Sequence, residues 1–210
     1  MENKKTEIPG YTQNSFVFGI IGTPGSGKST LIEQLIYRED LYFRKFNRVL
    51  YITPSKFDNI KLVEGANWYR NISIPWIQEK IKELDELKTK IKLLIVLDDC
   101  VSELSSYAKD QALISLIYNR RHITENINLS WIIVSQKYNL IPLSIRTMFT
   151  GLFLFRLPKT QIEDVFKDVI IPNSKGLRRS LDALWGNKHD FIFINNDNYK
   201  IFHNFQLLFI

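Results

Sequence analysis

The sequence predicts an α/β fold with helices packed on both faces of a parallel sheet. Short apolar runs alternate with amphipathic stretches along most of the chain. Those runs are continuously apolar, as strands buried on both faces are. The last stretch departs from this rule: two apolar runs flank the Asn/Asp-rich turn 195–198 and read as an antiparallel hairpin.

Each element has a local reason. "SFVFGII" (15–21) is an apolar run ended by Gly22, suited to a buried strand. Lys28 to Tyr37 follows as a helix with Leu31, Ile32, Leu35 and Ile36 on one face. "RVLYIT" (48–53) is a second strand stopped by Pro54, and 55–73 reads as irregular. Pro75 opens a helix, where proline is tolerated; Ile77, Ile81, Leu84 and Leu87 carry it to about Lys90. "KLLIVLDD" (92–99) is a strand ending in two carboxylates. A helix from about Lys109 to His122 turns Leu113, Leu116 and Ile117 inward. "NLSWIIVSQ" (128–136) and "GLFLFRL" (151–157) are further strands, with a short helix at 142–148 between them. Helices near 159–169 and 174–185 precede the hairpin. The spacing implies one domain over 15–210, after a flexible polar arm at 1–14.

Composition narrows the classes. Of 210 residues 45% are hydrophobic, which excludes a disordered chain. Lys and Arg number 28 against 22 Asp and Glu, a net charge of +6. That excess suits a polyanionic partner and equally a solvated basic surface. The single cysteine, Cys100, excludes an intramolecular disulfide and fits a reducing compartment. No signal-peptide core opens the chain, and no apolar run nears the ~20 residues of a membrane span. A soluble, intracellular protein without membrane insertion is expected.

Between the first strand and first helix lies Gly22-Thr23-Pro24-Gly25-Ser26-Gly27-Lys28-Ser29-Thr30. It fits G-x-x-x-x-G-K-[ST]. Glycines let backbone amides close around phosphate oxygens, and the helix that follows points its positive end at the same anion. Lys28 is expected on the β- and γ-phosphates and the Ser29 hydroxyl on Mg²⁺. ATP and Mg²⁺ are therefore the expected ligands. Ligands of open α/β sheets sit at the carboxyl ends of strands. "LLIVLDD" brings Asp98 there as a metal-holding carboxylate and Asp99 as the group that orients or deprotonates the attacking water. "WIIVSQ" brings Gln136, whose amide can sense the γ-phosphate. These three strand ends point to a P-loop NTPase of the three-layer, RecA/ASCE-like kind, with strand order 5-1-4-3-2. Arg120, Arg121 and His122 close the helix before the sensor strand, where cations favour the helix dipole. Arg121, Arg120 or Arg146 can supply an arginine finger.

The segments "GTPGSGKST", "LLIVLDDC" and "NRRHITENINLSWIIVSQKYNLIPLSIRTMFTGLFLF" resemble the genome-packaging ATPases of the poxvirus type, within the FtsK–HerA superfamily of DNA-pumping motors. The resemblance covers roughly 15–157. It implies an ATPase that moves double-stranded DNA into a viral capsid. It also implies a homo-oligomeric ring of five or six subunits, capsid vertex proteins as partners, and a host cytoplasm or viral factory as location. By position, Gly22 to Thr30 bind ATP and Mg²⁺, Asp98 holds the metal, Asp99 is the catalytic acid, and Gln136 is the sensor. Arg121 is the finger, with Arg120 or Arg146 as fallback. Cellular FtsK relatives carry Glu where Asp99 stands.

Other readings compete. The loop is close to that of nucleoside monophosphate kinases, which need no acid beside the metal carboxylate. Asn187-Lys188-His189-Asp190 matches the N-K-x-D guanine-reading pattern of GTPases. Yet an apolar run follows that tetrad instead of preceding it, and no D-x-x-G follows the acids; the tetrad reads as coincidence. A non-catalytic nucleotide-binding scaffold would not need Lys28, Asp98 and Asp99. Lys175, Arg178 and Arg179 suit a solvated helix face better than a nucleic-acid contact. Trp68, Trp76, Trp131 and Trp185 read as core.

Overall fold

The computed structural model describes residues 15–54, 66–169, 171 and 173–208. The arm at 1–14 and the segment 55–65 lie outside them, as does the Trp68 side chain. Six strands run parallel: β1 (Val17–Ile21), β2 (Arg48–Ile52), β3 (Ala66–Tyr69), β4 (Ile91–Asp98), β5 (Ile127–Ser135) and β6 (Gly151–Phe155). Antiparallel β7 (Phe191–Asn195), β8 (Ile201–His203) and β9 (Gln206–Leu208) extend the sheet. The full order is β3-β2-β4-β5-β1-β6-β7-β8-β9.

With β3 set aside, the central order β6-β1-β5-β4-β2 is the expected 5-1-4-3-2. The sensor strand β5 lies between β1 and β4. Two details differ from expectation. Part of the stretch taken as irregular is β3, a four-residue edge strand too short to show a period. The terminal hairpin has a third strand, because Asn204 and Phe205 take positive φ (47° and 69°) and reverse the chain between β8 and β9.

The helices are α1 (Lys28–Tyr37), α2 (Ile74–Asp85), α3 (Val101–Ser106), α4 (Gln111–Tyr118), α5 (Leu143–Arg146), α6 (Lys159–Asp168) and α7 (Ser174–Leu184). Three start with side-chain caps, one of them α7, where the Asn173 side chain accepts from the Gly176 amide. The Ser73 hydroxyl accepts from the Trp76 amide, and the Asp110 carboxylate accepts from the Ala112 and Leu113 amides. Two end earlier than the apolar spacing suggested. Lys88 sits at φ 53°, beyond the end of α2, and Leu87 is left exposed. The last helical residue of α4 is Tyr118, so Arg120 and Arg121 stand in the following turn instead of on the helix. Among the described residues no helix is long and apolar enough to cross a membrane.

Alternation along β1 divides the core. Val17 and Ile21 face a layer that includes the buried sides of α2, α4 and α6, with Trp131 and Trp185. Phe16, Phe18 and Ile20 face α1 and an aromatic layer. In that layer Phe18 meets Phe153 and Phe193 edge-on at 5.6 Å each. Trp76 packs at the core's rim beside Tyr69. Trp76, Trp131 and Trp185 are therefore core residues, as expected. Phe153 is fully buried between the parallel and antiparallel halves of the sheet. Phe153→Ala should lower unfolding free energy by about 3–5 kcal/mol, read from urea denaturation.

Candidate functional site

Parallel pairing brings the carboxyl ends of β1, β4 and β5 to one edge. Gly22 leaves β1 with its amide bonded to the Ser135 carbonyl of β5 at 3.1 Å. The loop then turns through Gly25 (φ 69°) and Gly27 (φ 105°), values that favour glycine. A Cβ on Gly22 would lie 2.5 Å from the Ser26 hydroxyl and 2.8 Å from Phe155 Cβ, so only glycine fits there. Thr23, Pro24, Gly25, Ser29 and Thr30 are exposed around the cradle. Lys28, the first residue of α1, donates to the Gly22 and Thr23 carbonyls at 2.8 and 3.1 Å. Its ammonium therefore lies across the loop mouth. Burial lowers the Lys28 pKa, and Asp99 and Asp98 act against that shift.

The two acids differ. Asp98 ends β4, and its Oδ2 accepts from the Tyr51 hydroxyl of β2 at 2.6 Å. Burial raises the Asp98 pKa and the Tyr51 bond opposes it. Burial and the neighbouring carboxylate push the Tyr51 phenol up strongly, so it stays a donor. Asp99 turns into the left-handed region at φ 55°, which Asp tolerates better than most residues. Its Oδ2 accepts from Gln136 Nε2 at 3.1 Å. Acid and sensor amide are thus in direct contact. Ser135 holds that geometry, because its hydroxyl donates to the Lys137 carbonyl at 2.7 Å and accepts from the Lys137 amide at 3.1 Å. Cys100 is buried, donates to the Ile52 carbonyl at 3.3 Å, and has its thiol pushed up to about 12 by burial. It closes the turn after the acids and is not a nucleophile.

The structure assembles Gly22 to Thr30, Asp98, Asp99 and Gln136 at one edge, and does not bring the arginines there. Arg121 precedes β5, at the opposite end of the strand from Gln136. At ~3.3 Å per residue that separation is roughly 20 Å. It lines a cleft of about 530 Å³ with Arg44, Lys45, Lys90 and Lys92. Arg120 is half-buried, and its carbonyl accepts from the Leu129 amide at 3.1 Å. Arg146 is paired with Asp168 at 3.2 Å and lies over the Tyr138 ring at 4.7 Å. It joins the segment after the sensor strand to α6 and has a structural role. Arg178 pairs with Glu163 and covers Phe166, packing α7 on α6. Lys175 and Arg179 remain exposed on α7.

Two contributors escaped sequence reasoning. Tyr51 sits inside an apolar run and reads as core; the strand order alone points to it, since β2 neighbours β4. The other is the turn carrying Lys188 and His189, described below.

The family model described as Poxvirus A32 protein matches residues 5–199. The chain belongs to that family. No curated protein matches it by sequence. The family assignment agrees with the fold. The chain is similar to the genome packaging NTPase B204 of Sulfolobus turreted icosahedral virus 2 in its sulfate complex. The TM-score is 0.67 at 13% identity, over 94% of this chain and 99% of that one. B204 with ATP-gammaS gives 0.67 at 14% identity, over 94% and 100%. The pCW3 conjugation coupling protein TcpA with ATPgS gives 0.56 at 13% identity, over 86% and 57%. At such identities these likenesses speak for the fold.

The Tyr51–Asp98 bond gives a direct test. Tyr51→Phe keeps the ring and removes the donor, leaving a half-buried carboxylate short of a partner. Stability at neutral pH should fall by about 1.5–3 kcal/mol in denaturant titration.

Proposed function

We propose that this chain hydrolyses ATP with Mg²⁺ and uses the cycle to drive double-stranded DNA into a viral capsid. The contact between Gln136 and Asp99, beside the Lys28 loop, carries the reading. A catalytic carboxylate held by a neutral amide one strand away serves hydrolysis, whereas transfer to a small acceptor needs no such pair.

The residues divide the work. Loop amides and Lys28 bind the phosphates and neutralise charge that grows as the terminal bond breaks. Asp98 and the Ser29 hydroxyl suit a hard cation, which supplies further charge neutralisation when bound. Tyr51 fixes the Asp98 carboxylate. Asp99 accepts a proton from, or orients, the attacking water. Gln136 keeps Asp99 in place and exchanges that bond for one to water or phosphate as hydrolysis proceeds.

DNA as the polymer is supported by family membership and by the net charge of +6. Arg44, Lys45, Lys90 and Lys92 around one cleft add a concentrated cationic surface. A motor acting on a polymer needs several ATPase cores acting in turn, and the described residues form one such core. A homo-oligomeric ring of five or six copies is therefore the proposed assembly, working at a capsid vertex in the infected cell. In such a ring Arg121, distant from its own cradle, serves a neighbouring one.

Variants, DNA stimulation and mixed rings test this. Lys28→Ala should abolish hydrolysis with the fold kept, while Asp99→Asn should bind ATP and hydrolyse poorly, since an amide is no base at neutral pH. Turnover in Asp99→Asn at the wild-type rate would refute the assigned base. DNA should stimulate the wild-type rate, and added salt should reduce that stimulation. Stimulation by a nucleoside monophosphate in place of DNA would favour a kinase. Arg121→Ala should bind ATP and lose on the order of 10³-fold or more in turnover. Mixed rings with Lys28→Ala subunits should regain activity, because some interfaces pair an intact cradle with an intact finger. Mixed rings that stay inactive would exclude Arg121 as a finger in trans.

A further inference from the structure

The tetrad Asn187-Lys188-His189-Asp190 is not available to read a base. Asp190 Oδ2 accepts from the Asn187 amide at 2.7 Å and from Asn187 Nδ2 at 3.1 Å. Asp190 Oδ1 accepts from Asn204 Nδ2 at 2.8 Å, and Asn204 Oδ1 accepts from the Phe191 amide at 2.9 Å. The two side chains a guanine reader would use are engaged within the turn. They make it rigid and tie it to the β8–β9 connection.

The turn has a different target. Because β7 runs antiparallel to β6, its start lies where β6 ends, next to the phosphate loop. His189 Nδ1 is 3.0 Å from the Ser26 carbonyl oxygen. A carbonyl can only accept, so Nδ1 carries the proton. Lys188 Nζ lies 3.7 Å from where a Cβ on Gly25 would stand, and it forms no ion pair among the described residues.

The planar peptide makes this contact consequential. In a trans peptide the carbonyl and the following N–H point in opposite directions. With the Ser26 carbonyl held toward His189, the Gly27 N–H points away from the 187–190 turn, which leaves it free for a phosphate oxygen. Gly27 and Gly25 lack the side chains that would otherwise restrain this peptide. A flipped Ser26–Gly27 peptide would present an oxygen to the phosphates instead.

We propose that the 187–190 turn is a strut that sets the phosphate loop in its binding conformation. His189 is the positioning residue, and Lys188 adds positive potential at the rim for a nucleoside polyphosphate. This rests on the reading of Gly22 to Thr30 as a phosphate cradle. It makes nucleotide affinity depend on the C-terminal antiparallel strands.

Calorimetric titration with ADP, ATP and AMP in Mg²⁺ tests the strut on the full chain. His189→Ala should weaken ADP and ATP binding about 5–10-fold, as expected for one lost hydrogen bond, with an unchanged unfolding midpoint. His189→Asn, whose Nδ2 can occupy the place of Nδ1, should return affinity to within about twofold. Lys188→Ala should weaken ATP more than AMP, and the difference should shrink at high salt. Wild-type affinity in His189→Ala, or an Asn variant as weak as the Ala variant, overturns the strut. Lys28→Ala separates the two readings. If it loses binding while His189→Ala does not, the cradle stands and the strut falls. If Lys28→Ala binds as the wild type does, the cradle reading falls and takes the strut with it.

Discussion

Parallel pairing of β1, β5 and β4 is the constraint on which the site depends. Pairing in register carries three strand ends to one edge of the sheet, where the chain must leave it. The bond from the Gly22 amide to the Ser135 carbonyl fixes the first turn of the phosphate loop to the sensor strand. Val134 pairs with Asp98, so Gln136 follows just beyond the level of Asp99. A one-residue slip of β5 would send every inward side chain to the other face and break the Gln136–Asp99 contact. β5 is buried on both faces, with Trp131 and Ile133 in one core layer and Ile132 and Val134 in the other, so a slip would misfit both layers. Packing in the core thus holds the geometry of polar groups at the rim.

Around this edge, neighbouring elements supply what the three strand ends lack. Tyr51 reaches from β2 to hold Asp98, and His189 reaches from the start of β7 to hold the Ser26 carbonyl. The two supports come from opposite flanks of the P-loop strand. One steadies the carboxylate suited to a metal, the other the loop suited to phosphate. Each is a donor fixed by the sheet, so its aim follows from strand order instead of loop flexibility.

Much of this was legible in the sequence. Motifs such as Gly22 to Thr30 and Asp98-Asp99 are local, so residue type and spacing specify them directly. Apolar periodicity gave α1 to the residue and the five central strands closely. What escaped was of two kinds. Local conformation ended helices early, as at Lys88, or reversed the chain, as at Asn204 and Phe205. Long-range contact gave roles to residues that look ordinary in sequence. Tyr51 and Asp98 are 47 positions apart, and His189 and Ser26 are 163 apart. The tetrad at 187–190 matches a guanine-reading pattern by coincidence, as the sequence suggested; its Asn and Asp build a rigid turn.

The backbone at Asp99 links fold to chemistry. Asp98 continues the strand, so its side chain meets Tyr51 of the adjacent strand and is half-buried. One residue later the chain enters the left-handed region at φ 55° and departs from the strand's alternation. That reversal directs the Asp99 side chain across to Gln136. Adjacent carboxylates in an unbroken strand would point to opposite faces. Here the turn lets two neighbouring acids serve one site with different partners, Tyr51 for one and Gln136 for the other. Short polar side chains tolerate this conformation, whereas a β-branched residue would be strained. Asp at this position therefore satisfies the turn and supplies the carboxylate at once. Strain of this sort persists where surrounding contacts over-determine it. Cys100 and Gln136 provide those contacts from either side of the turn.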